Sequence, residues 1–243
     1  MNATELFFVT CVLVMPAAVT AQQRPNDESS PPVVRENVTS ATTIGGIARP
    51  VVWEVACVYV YEDVPTTRSS TWQPDGWMPA DGASAISSLP GCTENPTTGS
   101  RTCHRIRYNT MAKDWAGIYW LPRGGWKGPG PNLLKALGIR KGDPVRLTFW
   151  ARGETGGEKA EFKVGGMSTA NDSMDFPKGT GYITLTREWR QYTIDLTNED
   201  LSRLAGCFCW VSNAINNPGK TVVTIYLDNI RFEHPVRPIP ESR

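Results

Sequence analysis

Between Val51 and Phe232, apolar and polar residues alternate in short runs bounded by Gly and Pro. This period of two marks half-buried strands. In VRLTFWARG, Val145, Leu147 and Phe149 fall on one face, and Arg146, Thr148, Trp150 and Arg152 on the other. EFKVGG sets Phe162 and Val164 against Glu161 and Lys163, and WRQYTIDL turns Tyr192, Ile194 and Leu196 inward. With Ala116, Ile118 and Trp120 inward, DWAGIYW presents Trp115, Gly117 and Tyr119 outward. In CFCWV, inward Cys207 and Cys209 send Phe208 and Trp210 outward; the competing arrangement buries both rings and turns the cysteines out. TVVTIYLDNIRF runs inward at Val223, Ile225 and Leu227, then at Ile230 and Phe232. That change of parity predicts a bulge at Asp228-Asn229.

Helical signals are minor. PNLLKALGIRKGD predicts a short helix closed by Gly138, and TNEDLSRLAG offers Thr197 as an N-cap with Asp200 three residues on. The pattern as a whole predicts an all-β chain, an antiparallel two-sheet β-sandwich of the jelly-roll kind.

The two ends differ from this middle. An apolar run from Leu6 to Val14, followed by Val19-Thr20-Ala21, reads as a signal peptide over 1–21, although Glu5 and the lack of Lys or Arg depart from the usual start. Residues 22–50 are rich in Pro, Ser, Thr and charge and lack aromatics, which predicts a disordered linker. A single domain is expected at 51–235, with 236–243 as a tail. No later run is apolar enough for a membrane helix, so a secreted, extracellular protein with no membrane attachment is expected.

Composition narrows the partners. Lys plus Arg number 25 against 24 for Asp plus Glu, too even a balance to hold nucleic acid by charge. Nine Trp and 22 Gly combine aromatic anchors with turn formers. Without Cys11, the chain keeps Cys57, Cys92, Cys103, Cys207 and Cys209, an odd set. Cys92 and Cys103 flank the turn-rich loop CTENPTTGSRTC and are the expected disulfide. His104 and His234 are the only histidines, which leaves zinc without partners.

VYVYEDV, WAGIYW, LTFWARGETGGEKAEFKVGG, EWRQYTIDL and TIYLDNIRFE together resemble the galactose-binding-like β-sandwiches that include many carbohydrate-binding modules. The resemblance implies a structural calcium tying the first strand to the last, with Glu62 and Asp228 at the matching positions and Asp63 beside them. It also implies that Trp189 seals the end of the sandwich.

Sugars present flat C–H faces and a rim of hydroxyls, so a site for them needs aromatic platforms with polar neighbours. The outward parities nominate Trp115, Tyr119, Trp150 and Trp210, the loop residue Trp126, and Arg152, Glu161 and Lys163 as polar partners. Trp53, Trp72 and Trp77 are assigned to packing. No strand has the paired carboxylates of a sandwich glucanase; Glu154 and Glu158 flank a TGG turn instead. The expected function is a monomeric, non-catalytic module that binds a neutral polysaccharide or oligosaccharide. A structural or adhesive surface domain is the alternative, and an unfamiliar glycoside hydrolase or lyase the third.

Overall fold

Twelve segments pair as strands in the computed structural model, which describes residues 30–44, 47–63, 71–97, 99–167 and 170–239. The expected signal peptide and the first part of the linker, 22–29, lie outside these residues. The strands are β1 (Val34–Ile44), β2 (Ile47–Tyr61), β3 (Trp72–Met78), β4 (Ile86–Cys92), β5 (Cys103–Asn109), β6 (Trp115–Pro122), β7 (Arg146–Gly153), β8 (Lys159–Val164), β9 (Lys178–Thr184), β10 (Arg190–Asp195), β11 (Phe208–Asn213) and β12 (Val222–Ile239). All pairings are antiparallel, and they form two sheets, as the alternation predicts.

The seven-stranded sheet is built on β12. Along one side of it runs β7, followed outward by β10; along the other lie β5 at residues 222–227 and β2 at 230–239, flanked by β4 and β1 respectively. The partner changes at Asp228-Asn229, where the register shifts and Asn229 takes a left-handed φ of 47°. This is the predicted bulge, and Ile225, Leu227, Ile230 and Phe232 are all fully buried on either side of it. The second sheet has the order β3-β6-β11-β8-β9.

Between the sheets lie Trp72, Trp120, Trp210, Phe149, Phe162, Phe208 and Phe232, all essentially inaccessible. Phe162 and Phe208 stack at 5.8 Å, and Phe149 meets Phe162 at 4.7 Å. Each buried ring contributes on the order of 1.5–3 kcal/mol through removal from water. The short helix α1 (Leu133–Leu137) closes one flank. The Asn132 side chain accepts from Lys135 N at 2.8 Å, Gly138 ends the helix at φ 71°, and Leu133 and Leu137 face the core.

Three expectations about the elements change. The disordered linker gives way from Val34 onward to β1, which pairs with β2 along its whole length. Lack of aromatics misled the reading, because β1 is held by polar contacts: Arg35 to Glu54 at 3.0 Å, and Glu36 to Tyr59 and Arg231, each at 2.8 Å. The tail also continues β12 as far as Ile239, paired with Val52 of β2. The second helix is absent: Asp195 captures the Thr197 N–H and hydroxyl, and Asp200 captures the Ser202 N–H. Such local side-chain bonds compete with helix formation. Among the described residues no helix is long and apolar enough to cross a membrane.

Candidate functional site

The outer face of the five-stranded sheet is assembled from rows of residues that the pairing register sets side by side. One row runs Met78, Gly117, Val211, Glu161 and Tyr182 across β3, β6, β11, β8 and β9. The next runs Gly76, Tyr119, Cys209, Lys163 and Gly179. Beyond the first row, Trp115 stands opposite Asn213. Small or flat residues thus occupy the middle of the face, and the large exposed rings stand around it.

Those rings are Trp115 and Trp126, each 42% exposed, and Tyr182, 38% exposed. Asn213 Nδ2 donates to the Tyr182 hydroxyl at 2.8 Å, while its own Oδ1 is fixed by the Asn216 N–H at 2.7 Å. Trp126 rises from a 3-10 turn (Gly125–Lys127) behind Gly124, whose φ of 93° suits glycine. Its ring meets Tyr119 edge-on, centroids 5.8 Å apart. Glu161 and Lys163 form a 2.9 Å ion pair within β8, both partly exposed. The Lys163 and Glu161 side chains are 25% and 21% exposed, which leaves either partner within reach of a ligand's hydroxyls.

The floor is closely packed, and glycine is required there. A Cβ on Gly117 would come within 2.8 Å of Met78 Cε and 2.9 Å of the Trp210 carbonyl oxygen; one on Gly76 would reach 2.7 Å from Tyr119 Cβ. Gly117 therefore leaves no gap beside the rings, since Met78 and Val211 fill the space.

Of the residues nominated from the sequence, Trp115, Tyr119, Trp126, Glu161 and Lys163 come together on this face. Tyr119 is floor rather than platform: it is buried, its hydroxyl donates to Gly165 O at 3.0 Å, and burial pushes its phenol far above the ordinary range. Trp210 does not belong to the face. It lies fully buried between the sheets, edge-on to Tyr108, as does Phe208, and Cys209 takes the outer position, so the competing arrangement of CFCWV holds for both rings and Cys209, while Cys207 packs in the core. The opposite sheet carries Trp150 and Arg152, because β7 joins β12. Parity separates inside from outside but does not assign a strand to a sheet. Sequence reasoning missed Tyr182 and Asn213. Tyr182 sits in KGTGYIT, where two glycines and Thr obscure the alternation.

On the seven-stranded sheet the outer face is occupied by the chain itself. Cys92 and Cys103 are bonded, Cα atoms 5.0 Å apart, and the loop between them lies against the strands. Arg152 Nη2 donates to Glu94 O at 3.0 Å, Trp189 Nε1 to Asn95 O at 2.7 Å, and the Arg152 guanidinium stands 3.8 Å from the Tyr226 ring centroid. Cys57, Cys207 and Cys209 lie outside the disulfide and are buried. Further along, Arg231 joins Glu36 at 2.8 Å and Glu233 at 2.7 Å, and Arg146 joins Glu233 at 2.9 Å. Although burial opposes it, Arg231 and Arg146 hold the Glu233 carboxyl below its usual range.

The positions implied for calcium have the wrong donors around them. Asp228 is fully buried, and its Oδ2 accepts from Thr97 N at 3.1 Å and Thr97 Oγ1 at 2.7 Å, while Oδ1 accepts from Asn229 N at 2.8 Å. Asp63 Oδ1 accepts from the N–H groups of Arg101 at 2.7 Å and Thr102 at 2.8 Å. Calcium needs six to eight oxygen ligands, whereas these carboxylates face N–H and hydroxyl donors. Among the described residues no three His, Cys, Asp or Glu side chains group to hold a metal. As arranged, Asp63 and Asp228 do not fit the ion.

No family model matches the chain, and no curated protein matches it. Among solved structures it is similar to a family 30 carbohydrate-binding module, at TM-score 0.48 and 15% identity over 77% of this chain and 93% of that one. It is also similar to the family 30 module of a cellulosomal cellulase of Clostridium thermocellum, at TM-score 0.46 and 16% identity over 72% and 96%. A family 29 module from Piromyces equi aligns at TM-score 0.42 and 12% identity over 74% and 91%.

Proposed function

We propose that the outer face of the five-stranded sheet binds a neutral polysaccharide or oligosaccharide, and that the protein is an exported, non-catalytic binding module. The observation that carries this reading is the ring of exposed Trp115, Trp126 and Tyr182 around a closely packed floor with polar groups within it. Indole and phenol faces suit the C–H faces of sugars, and Glu161, Lys163 and Asn213 offer both acceptors and donors to hydroxyls. Opposite charges paired at 2.9 Å favour an uncharged ligand over a polyanion or a polycation. A disulfide and a leader-like N-terminal run support export.

The test is affinity electrophoresis through a panel of soluble polysaccharides, with pull-down on insoluble ones. Retardation by at least one glycan, lost in Trp115→Ala, supports the reading. Free migration through every gel, with no pull-down, refutes it and leaves a structural or adhesive surface domain.

A second reading, hydrolysis, has one observation in its favour. The Oε2 atoms of Glu94 and Glu154 lie 2.7 and 2.5 Å from the Tyr226 hydroxyl oxygen, which brings two carboxyl groups together on the other sheet. Glu94 is also paired with Arg105, and these contacts lock the groups into the disulfide loop. Release of reducing sugar, abolished by Glu154→Gln, would establish this reading in place of the first.

A further inference from the structure

The sheet edges are unequally protected. Unpaired N–H and C=O groups along an edge invite another strand, and proteins usually blunt them with Pro, Gly, bulges or short length. β3 carries Pro74 and a bulge before Gly76; β4 carries Pro90, Gly91 and a register break after Leu89. β9 carries Gly179 and Gly181 and faces another break, and β10 is six residues long. β1 has none of these. Its eleven residues, VRENVTSATTI, contain no Pro or Gly and keep one unbroken register with β2. The two charges that would guard it are turned to its own sheet, Arg35 to Glu54 and Glu36 to Tyr59 and Arg231.

From this we infer that β1 is the docking edge for a second copy of the chain, the two β1 strands pairing antiparallel about a two-fold axis to make one continuous sheet. The sequence of β1 fits its own reverse. Centred on Thr39, the pairing sets Thr39 against Thr39, Val38 against Ser40, Asn37 against Ala41, Glu36 against Thr42 and Arg35 against Thr43. No like charges face each other, and a Thr–Thr pair at the centre is favourable across antiparallel strands. An isologous contact of this kind closes at two copies, so it gives a dimer and not a fibre. It replaces the monomer expected from the sequence and is independent of any glycan.

Sedimentation of the full chain over a range of concentrations tests it. The protein should show a reversible monomer–dimer equilibrium. Thr39→Lys and Thr39→Glu should each weaken it about tenfold or more by placing like charges at the axis, and mixing the two variants should restore it. That rescue shows both variants are folded. A wild-type protein that stays monomeric, variants that dimerise as the wild type does, or a mixture that fails to recover would each overturn the inference. So would β1 amides protected from hydrogen exchange at every dilution, which points to another segment of the same chain as the cover.

Discussion

The two outer faces of the sandwich use the same kinds of residue to opposite ends. On the seven-stranded sheet, Arg152, Trp189 and Tyr226 are spent on the disulfide loop, and Arg231, Tyr59 and Glu233 on one another and on β1. On the five-stranded sheet, Trp115, Trp126 and Tyr182 keep their faces open, and the polar groups beside them, Glu161, Lys163 and Asn213, are bound to neighbours on the same face and remain partly exposed. Aromatic and charged residues are thus no guide to a binding surface by themselves. Each has to be asked what the chain has already committed it to.

The largest effects should come from residues whose commitment is complete. Trp210→Ala should lower stability by about 3–5 kcal/mol in urea denaturation while leaving glycan affinity per folded molecule unchanged, because the ring is core. An intact fold with lost binding would instead put Trp210 on the ligand side. Glu233→Ala should cost up to about 3–5 kcal/mol by removing the buried carboxylate that joins Arg231 and Arg146, Arg231 keeping Glu36 as its acid partner.

Acid sharpens the contrast between buried and open groups. His104 lies inside the sandwich, edge-on to Trp120, and burial lowers its pKa to about 3 from 6.5. The unfolded chain takes up this proton first, so the contribution to stability is complete above about pH 6.5 and is lost progressively as the pH falls towards 3. His104→Gln should flatten that limb of the stability curve, read by denaturation at about pH 7 and about pH 4. An unchanged slope would show that other groups govern the acid response.

Asp228→Ala should cost about 1–3 kcal/mol by leaving the Thr97 N–H and hydroxyl without their acceptor. A calcium chelator should leave the melting temperature of the wild type where it is. A fall on chelation, matched by Asp228→Ala, would restore the ion that the resemblance implies.

At the open face the effects should be on binding alone. Trp115→Ala and Tyr182→Ala should each weaken glycan binding by about 1–3 kcal/mol in titration calorimetry and change stability by less than about 0.5 kcal/mol. Should both unfold the domain instead, the rings support the fold and the open face loses its role.

Much of this was legible in the residues, and the parts that were not share a cause. Alternation placed Ile118, Phe149 and Phe162 inside and Trp115 and Glu161 outside, and Leu227 against Ile230 located the bulge. For CFCWV the same rule admitted both faces, since Phe and Trp bury as readily as Cys, and only the pairing of Trp210 with Ile118 and Phe162 decides between them. Tyr182 stayed hidden because glycines beside it carry no inside or outside signal.

By itself the sequence determined β6, β7, β8, β10 and β12 with their buried sides, the short helix with its Asn132 and Gly138 caps, and the Cys92–Cys103 bond. All of these follow from neighbours a few residues apart. The tertiary structure decided which sheet each strand joins, and with that the separation of Trp150 and Arg152 from Trp115, the burial of Asp228 beneath the disulfide loop, and the addition of β1 as an edge. Those outcomes depend on pairings between residues far apart in the chain, such as Asp228 with Thr97 and Glu36 with Arg231, which no local period encodes.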